Sequence, residues 1–407
     1  MKREQLISKA TEHMHVLCTE IPERRVGSEG NRRATHYVKD KFRSAGWDTE
    51  STLLSVIDWE TEGATLTCGE KPFEVFPSHY SLGCLAEGEL IAVDTLEKLE
   101  SADIAGKIVL LYGPVTMEQI SPKNFVFYNP EHHQRTVTAL EKGKPLAIVC
   151  ATERNSASAG GVYPFPLFED GDFDIPSVYM RDTEGERLLA CEGKTVRLES
   201  KARRIPETAY NVVGRKAGAN PKRILVTAHI DAKIGTPGAI DNATGVTVLL
   251  LLAEWLKDYS GKYPVELVAF NGEDYYAVPG QMKYIEQHNG NFEDVLVNIN
   301  IDGAGYKEGL SCFSLFELPG EIKQVTETVI SNNPGIVEGL PWYQGDHSIF
   351  LQSGCPAIAV SSDWFIRHME DQEITHTPKD NLDVVNYERV AECAMGIKEL
   401  IEKINCP

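Results

Sequence analysis

Apolar positions recur at helical spacing at the start of the chain. Leu6, Ala10, Met14 and Leu17 fall on one face, and a second amphipathic stretch covers about 31–45, ahead of Gly46. Residues 22–30 between them form a polar loop with two glycines. From about residue 55 to 204 the texture changes to short β-like runs, such as 89–93, 107–112 and 146–150. Gly/Pro/Asn/Ser loops separate them, the longest at 155–174, and one helix is predicted at 131–142. From about residue 205 onward strands and helices alternate. Apolar runs fall at 223–228, 265–270, 295–301 and 357–361, with a strongly apolar helix at 242–258 and a last helix at 386–404. That rhythm predicts an α/β fold with a mixed, mainly parallel central sheet flanked by helices. The simplest organisation is one domain built from residues 1–54 and 205–407, with a β-rich module at 55–204 inserted into it.

Length and charge narrow the function. A chain of 407 residues suits two domains, and 42% hydrophobic residues suffices for two cores. Forty Lys+Arg against 60 Asp+Glu leave a formal charge of -20. A field of that sign repels phosphate backbones and anionic lipid, which argues against nucleic-acid and membrane-surface partners and favours cationic ligands, metal ions included. No run approaches the roughly 20 apolar residues of a membrane span. The opening Met1-Lys2-Arg3-Glu4 leads into a polar amphipathic segment rather than an apolar signal core. Nine cysteines, an odd number with no CxxC pair, read as reduced and buried. The expectation is a soluble, cytoplasmic protein.

Candidate chemistry collects at strand ends. The run 224–228 ends in His229-Ile230-Asp231, and Asp241-Asn242 opens the next helix after a Gly/Pro loop. The run 265–270 ends in Asn271-Gly272-Glu273-Asp274, and 295–301 ends in Asp302-Gly303. His376-Thr377-Pro378-Lys379-Asp380 lies in a polar loop before the final helix. Open α/β sheets build their sites at the carboxyl ends of the strands, so parallel strands would gather these groups although 147 residues separate His229 from His376. A single strand-end His or Asp is usually a cap or turn former. Here several recur at one sheet edge, and carboxylates so concentrated need a cation to offset their repulsion. Two histidines with several carboxylates suit Zn²⁺ or a similar divalent ion, in number enough for two. Glu273 and Asp274 could divide the roles of base and ligand.

The ordered set His229-x-Asp231, Gly238-Ala239-Ile240-Asp241-Asn242-Ala243-Thr244-Gly245, Asn271-Gly272-Glu273-Asp274, Asp302 and His376-Thr377-Pro378-x-Asp380 resembles the co-catalytic zinc aminopeptidase family. That family shares its fold with glutamate carboxypeptidase and the transferrin receptor. Arg25-Val26-Gly27-Ser28-Glu29-Gly30 looks like its N-terminal segment, and residues 55–204 look like a protease-associated domain. The resemblance implies two Zn²⁺ per chain, with Asp241 bridging them. His229 and Asp302 would complete one metal, Asp274 and His376 the other. Glu273 would be the general base, and Asp231 would hold the His229 imidazole in its ligating orientation. Some relatives place a Tyr directly before the last ligand histidine to support the oxyanion. Here that position is Thr375, with Tyr306 and Tyr343 as substitutes by region.

The activity so implied is a metallo-aminopeptidase acting on short peptide or aminoacyl substrates. A carboxypeptidase, a non-peptide amidohydrolase and a one-metal glutaminyl cyclase are the alternatives, followed by a non-catalytic binding protein. Asp346-His347-Ser348 reads as a loop fixed by hydrogen bonds. Trp364, Phe365 and Arg367 read as pocket or packing residues, and Cys312 and Cys355 as core. His132-His133 is expected at the surface of the inserted module.

Overall fold

A computed structural model of the chain describes residues 1–125 and 128–405. The chain forms two compact units, Met1–Val56 with Thr208–Pro407, and Ile57–Glu207.

The discontinuous unit is built on a mixed sheet. Its strands are β1 (Thr195–Lys216, of which 212–216 pair here), β2 (Arg223–His229), β3 (Val265–Phe270), β4 (Val295–Ile301), β5 (Ser311–Phe316), β6 (Ile336–Glu338) and β7 (Ala357–Ser362). They lie in the order β6-β5-β7-β4-β2-β3-β1. The four central strands β7, β4, β2 and β3 are mutually parallel, while β3/β1 and β7/β5 are antiparallel. The helices are α1 (Arg3–His15), α2 (Glu29–Ser44), α3 (Thr244–Trp255), α4 (Pro279–Gln287), α5 (Gly320–Asn332), α6 (His347–Gln352), α7 (Asp363–Arg367) and α8 (Tyr387–Asn405).

Both faces of the sheet are covered, which is why the strands read as continuous apolar runs rather than alternating ones. Along β2, Ile224, Val226 and Ala228 pack into the core shared with Leu6, Ala10 and Met14 of α1, Val248 and Leu252 of α3, and Ile397 and Leu400 of α8. Leu225 turns the other way, into a cluster with Tyr284 of α4 and Phe350 of α6. Helix α3 is buried from Thr244 through Ala253, so its composition is apolar all round.

The predicted elements recur with small shifts. Helix α2 starts at Glu29 because Ser28 Oγ caps it, accepting from Asn31 N at 3.0 Å. The helix expected from residue 242 starts at Thr244, because Ala239–Ala243 is an irregular turn with non-helical Asp241 and Asn242.

In the second unit, Cys84–Val93, Ile108–Leu111, Ala147–Thr152 and Ser177–Arg181 pair in that order, all parallel. One core lies under Leu90, Ile108, Leu110 and Val149, the other under Val109, Leu111, Ile148, Cys150 and Phe165. The helix expected at 131–142 is Glu131–Gly143. Helices Leu96–Ser101 and Asp182–Leu189 were not legible in the sequence: each is about two turns long and buries little beyond Leu99 or Leu188, too few positions to show a period. His132 is exposed as expected, but His133 is 1% exposed, because Glu131–Gly143 packs on this sheet through His133, Val137 and Leu140.

A candidate metal centre at the ends of parallel strands

The carboxyl ends of β2, β3 and β4 bring the expected residues together. His229 is the last residue of β2, and the backbone of Ile230 donates to Phe270 O, so β2 and β3 end level. His229 Nε2 lies 3.1 Å from Asp241 Oδ1 and 3.6 Å from Asp302 Oδ1. His376 Nε2 lies 3.0 Å from Asp241 Oδ2 and 3.3 Å from Asp274 Oδ1. Asp241 thus turns one oxygen to each histidine. His229 and Asp274 are almost fully buried, whereas the His376 side chain is 25% exposed, so the cluster opens on the His376 side.

The surrounding backbone is shaped to hold this arrangement. Asp231, 3.7 Å from His229 Nδ1, accepts backbone N–H groups from Gly272 (2.7 Å), Glu273 (3.3 Å) and Asp274 (2.9 Å). One carboxylate therefore fixes the turn that carries Glu273 and Asp274 as well as facing the histidine. Gly272 sits at φ 122°, where an added Cβ would meet Pro279 Cδ at 2.4 Å, so only glycine makes this turn. Asp380 accepts from Ile240 N (2.7 Å) and Asp241 N (3.1 Å), which aims Asp241. His376 is itself left-handed, with φ 61°. Beside it Gln372 Oε1 accepts from Ile374 N (2.8 Å) and Thr375 N (3.0 Å), and Gln372 Nε2 donates to Thr375 Oγ1 (2.6 Å).

Electrostatics show what the cluster requires. Burial opposes a charge on His229, and the carboxylates of Asp231, Asp241 and Asp302 outweigh it, so the imidazolium is held well above the ordinary histidine range. For His376 burial is likewise outweighed, by Asp274 and Asp241. Asp241 is driven far below the usual carboxylate range although burial opposes this, because both histidines face it. Burial raises Asp274, and Asp241 adds to the rise. Glu273 is pushed well above the carboxylate range by burial, then by the charges of Asp302, Asp274 and Asp346, against the pull of His229. Two positive charges are thus wanted among the carboxylates. Both ring nitrogens of His229 and Asp274 Oδ2 are buried without hydrogen-bond partners. His229, Asp241 and Asp274 each offer a ligand atom within 4.8 Å of the others. Nitrogen and carboxylate donors of this kind fit divalent zinc, which would satisfy His229 Nε2 and Asp274 Oδ2 and replace the protons.

A second group, Glu118, His132 and His133, meets the same distance criterion, so the described residues contain two clusters capable of holding a divalent ion.

Several supporting residues escaped the sequence reading. Arg24, 1% exposed, donates to four carbonyls: Leu17 O, Pro237 O and Gly238 O at 2.7 Å each, and Ile230 O at 3.0 Å. It ties the first loop of the chain to the residues flanking Asp231 and Asp241. Asn31 and Asn271 exchange side-chain hydrogen bonds at 2.8 Å, anchoring the turn before Gly272. Gln281 Nε2 donates to Asp346 Oδ1 at 2.7 Å, and His347 Nε2 bonds Trp342 O at 2.8 Å, the loop-fixing role expected of residues 346–348. Tyr306 lies against Trp364 and Phe365, while Tyr343 is exposed beside Phe316. Cys312 and Cys355 are buried, each thiol pushed up to about 12 mainly by that burial.

The fold is that of zinc aminopeptidases. Residues 211–401 match the model of that family, Peptidase family M28. An aminopeptidase from Aneurinibacillus sp. strain AM-1 superposes with a TM-score of 0.75 at 20% identity, over 99% of this chain and 96% of that one. The chain is also similar to Aminopeptidase YwaD of Bacillus subtilis, 27% identical over 56% of this chain and 51% of the relative. A Mycobacterium tuberculosis protein, named as the probable lipoprotein aminopeptidase LpqL, is 23% identical over 83% of this chain and 61% of its own length. The chain thus spans about half to three fifths of these relatives. The lipoprotein name overturns the expectation of a cytoplasmic location, since it places that relative at a membrane outside the cytoplasm. Reduced cysteines do not report the compartment, because thiols buried in a core are inert in either one. Among the described residues, no helix is long and apolar enough to cross a membrane.

Proposed function

We propose that this protein is a zinc-dependent aminopeptidase that hydrolyses N-terminal residues from short peptides. The observation that carries the reading is Asp241, whose two oxygens face His229 at 3.1 Å and His376 at 3.0 Å, the disposition of a carboxylate bridging two ions. His229 and Asp302 would hold one Zn²⁺, Asp274 and His376 the other. Bound there, the ions supply Lewis acidity toward the scissile carbonyl and a lower pKa for water. Glu273 is the general base: it takes the proton from the attacking water and returns it to the departing amine. Asp231 keeps His229 in its ligating orientation and the Glu273 turn in register. The carboxylates left at the rim attract the substrate's ammonium group, which selects the amino end of a peptide. The inserted unit, with its four parallel strands, we read as a protease-associated-like domain. The names of the two relatives described above, both aminopeptidases, support the same activity.

The test is metal content of the purified protein, paired with turnover of an aminoacyl-p-nitroanilide panel before and after chelation. Two zincs at this site with chelator-sensitive cleavage support the proposal. Two zincs without cleavage of any amide in the panel would move it to carboxypeptidase or non-peptide amide substrates, and a single ion to the cyclase reading. Glu273→Gln should keep both ions and lose nearly all turnover, whereas Asp241→Asn should lose metal as well.

A further inference from the structure

Glu118, His132 and His133 lie in the inserted unit and take no part in the proposed hydrolysis. His132 and His133 occupy the first turn of helix Glu131–Gly143. Neighbouring positions on a helix point about 100° apart, so sequence adjacency alone does not aim two rings at one point. Here both Nε2 atoms converge on the same atom, Glu118 Oε1, at 2.6 Å from His132 and 3.1 Å from His133. The ring centroids are 4.3 Å apart. The group presents two imidazole nitrogens and one carboxylate oxygen converging on one point, a donor set that suits zinc-class ions. The three also line a cavity of about 500 Å³, together with Leu96, Val115 and Ile120.

We infer that Glu118, His132 and His133 form a binding site for a further divalent transition-metal ion, of the Zn²⁺ or Co²⁺ class, facing this cavity. The ligand atoms are Nε2 of each histidine and a Glu118 carboxylate oxygen. Three protein ligands leave a position open to the cavity for water or an anionic ligand. His133 Nδ1 meets Ser121 twice, receiving its backbone N–H at 3.1 Å and lying 3.0 Å from its hydroxyl. Without metal, Nδ1 is the acceptor and Nε2–H faces Glu118. On loading, the His133 proton moves from Nε2 to Nδ1 and is accepted by Ser121 Oγ, which frees the Nε2 lone pair without a net proton change on the ring. The Ser121 N–H bond is given up in that switch, so this ion is held less tightly than one bound by preoriented ligands. The ion would pin the 113–121 segment to the start of the helix.

Equilibrium dialysis of the full chain against Zn²⁺ or Co²⁺, with metal counted per chain, tests this. Glu118→Gln and His132→Asn, both at exposed side chains, should each bind one ion fewer than the wild type, with peptide turnover unchanged. Asp241→Asn should keep the ion at Glu118, which separates failure of this inference from failure of the aminopeptidase reading. Cobalt added to Asp241→Asn should produce visible d–d absorption that is lost when Glu118→Gln is combined with it. Equal stoichiometry in wild type, Glu118→Gln and His132→Asn, or absorption that survives in the combined variant, would overturn the site.

Discussion

Arg24 offers the sharpest test of how the candidate centre is held. Replacing it with Met keeps much of the apolar stem but removes the guanidinium and its four hydrogen bonds to Leu17, Ile230, Pro237 and Gly238 carbonyls. At about 1.5 kcal/mol for each bond from a charged donor, the loss is on the order of 6 kcal/mol. Removing a buried charge also returns part of its desolvation cost, about 2–3 kcal/mol. The expected net destabilisation of Arg24→Met is therefore about 3–4 kcal/mol. Arg24→Lys makes the reasoning more exacting: lysine retains the buried charge but cannot reach four carbonyls in a planar fork, so it should be no more stable than the Met variant. Equilibrium urea unfolding of the chelated proteins measures both, with the m-value checked for constancy. A Lys variant close to wild type, or a Met variant within about 1 kcal/mol of it, would refute the account.

Three further outcomes are expected. His13, buried and bonded through Nδ1 to the Tyr37 hydroxyl at 2.6 Å, has its pKa lowered to about 4, first by burial and then by Lys41. Because the folded value lies below the unfolded 6.5, this stability is present above about pH 6.5 and lost as pH falls toward 4; from pH 7 to 5 wild type should lose about 2 kcal/mol more than His13→Gln in parallel urea titrations. Gln372→Ala should release the left-handed His376 segment and weaken zinc binding on the order of tenfold in chelator competition, with Gln372→Glu restoring much of it by keeping the acceptor oxygen. Gly272→Ala, forced against Pro279 at a positive φ, should destabilise the fold by more than 1 kcal/mol and lower metal affinity, both read from calorimetry with and without zinc.

That His229, Asp274 and Asp302 would lie near one another was legible because they sit at or just past strand ends, where apolar runs stop abruptly at His, Glu or Asp and parallel strands bring those ends together. The helices around the central sheet were legible for a related reason, since α3 and α8 are long enough to show their period. Arg24, Asn31 and Gln372 were not. Each is a polar residue in a polar-looking segment, and nothing local distinguishes a buried donor serving carbonyls 200 residues away from a solvated one. His133 was misjudged by the same logic, its neighbour His132 being exposed on the adjoining face. The two-turn helices of the inserted unit gave too short a signal to separate from loop.

The discontinuity of the larger unit also sets a schedule for synthesis. Helix α1 buries Leu6, Ala10 and Met14 against α3 and α8, and α8 ends at Asn405. At about 5–20 residues per second, a ribosome needs roughly 20–80 s to travel from the first helix to the last. Until α3 is made the apolar face of α1 lacks both helical partners, and until α8 is made it lacks one, while Ile57–Glu207 can already close its own two cores. The nascent chain therefore carries a finished domain between an unsatisfied amphipathic helix and a half-made sheet. That makes α1 the segment for which a chaperone that shields apolar helices matters most.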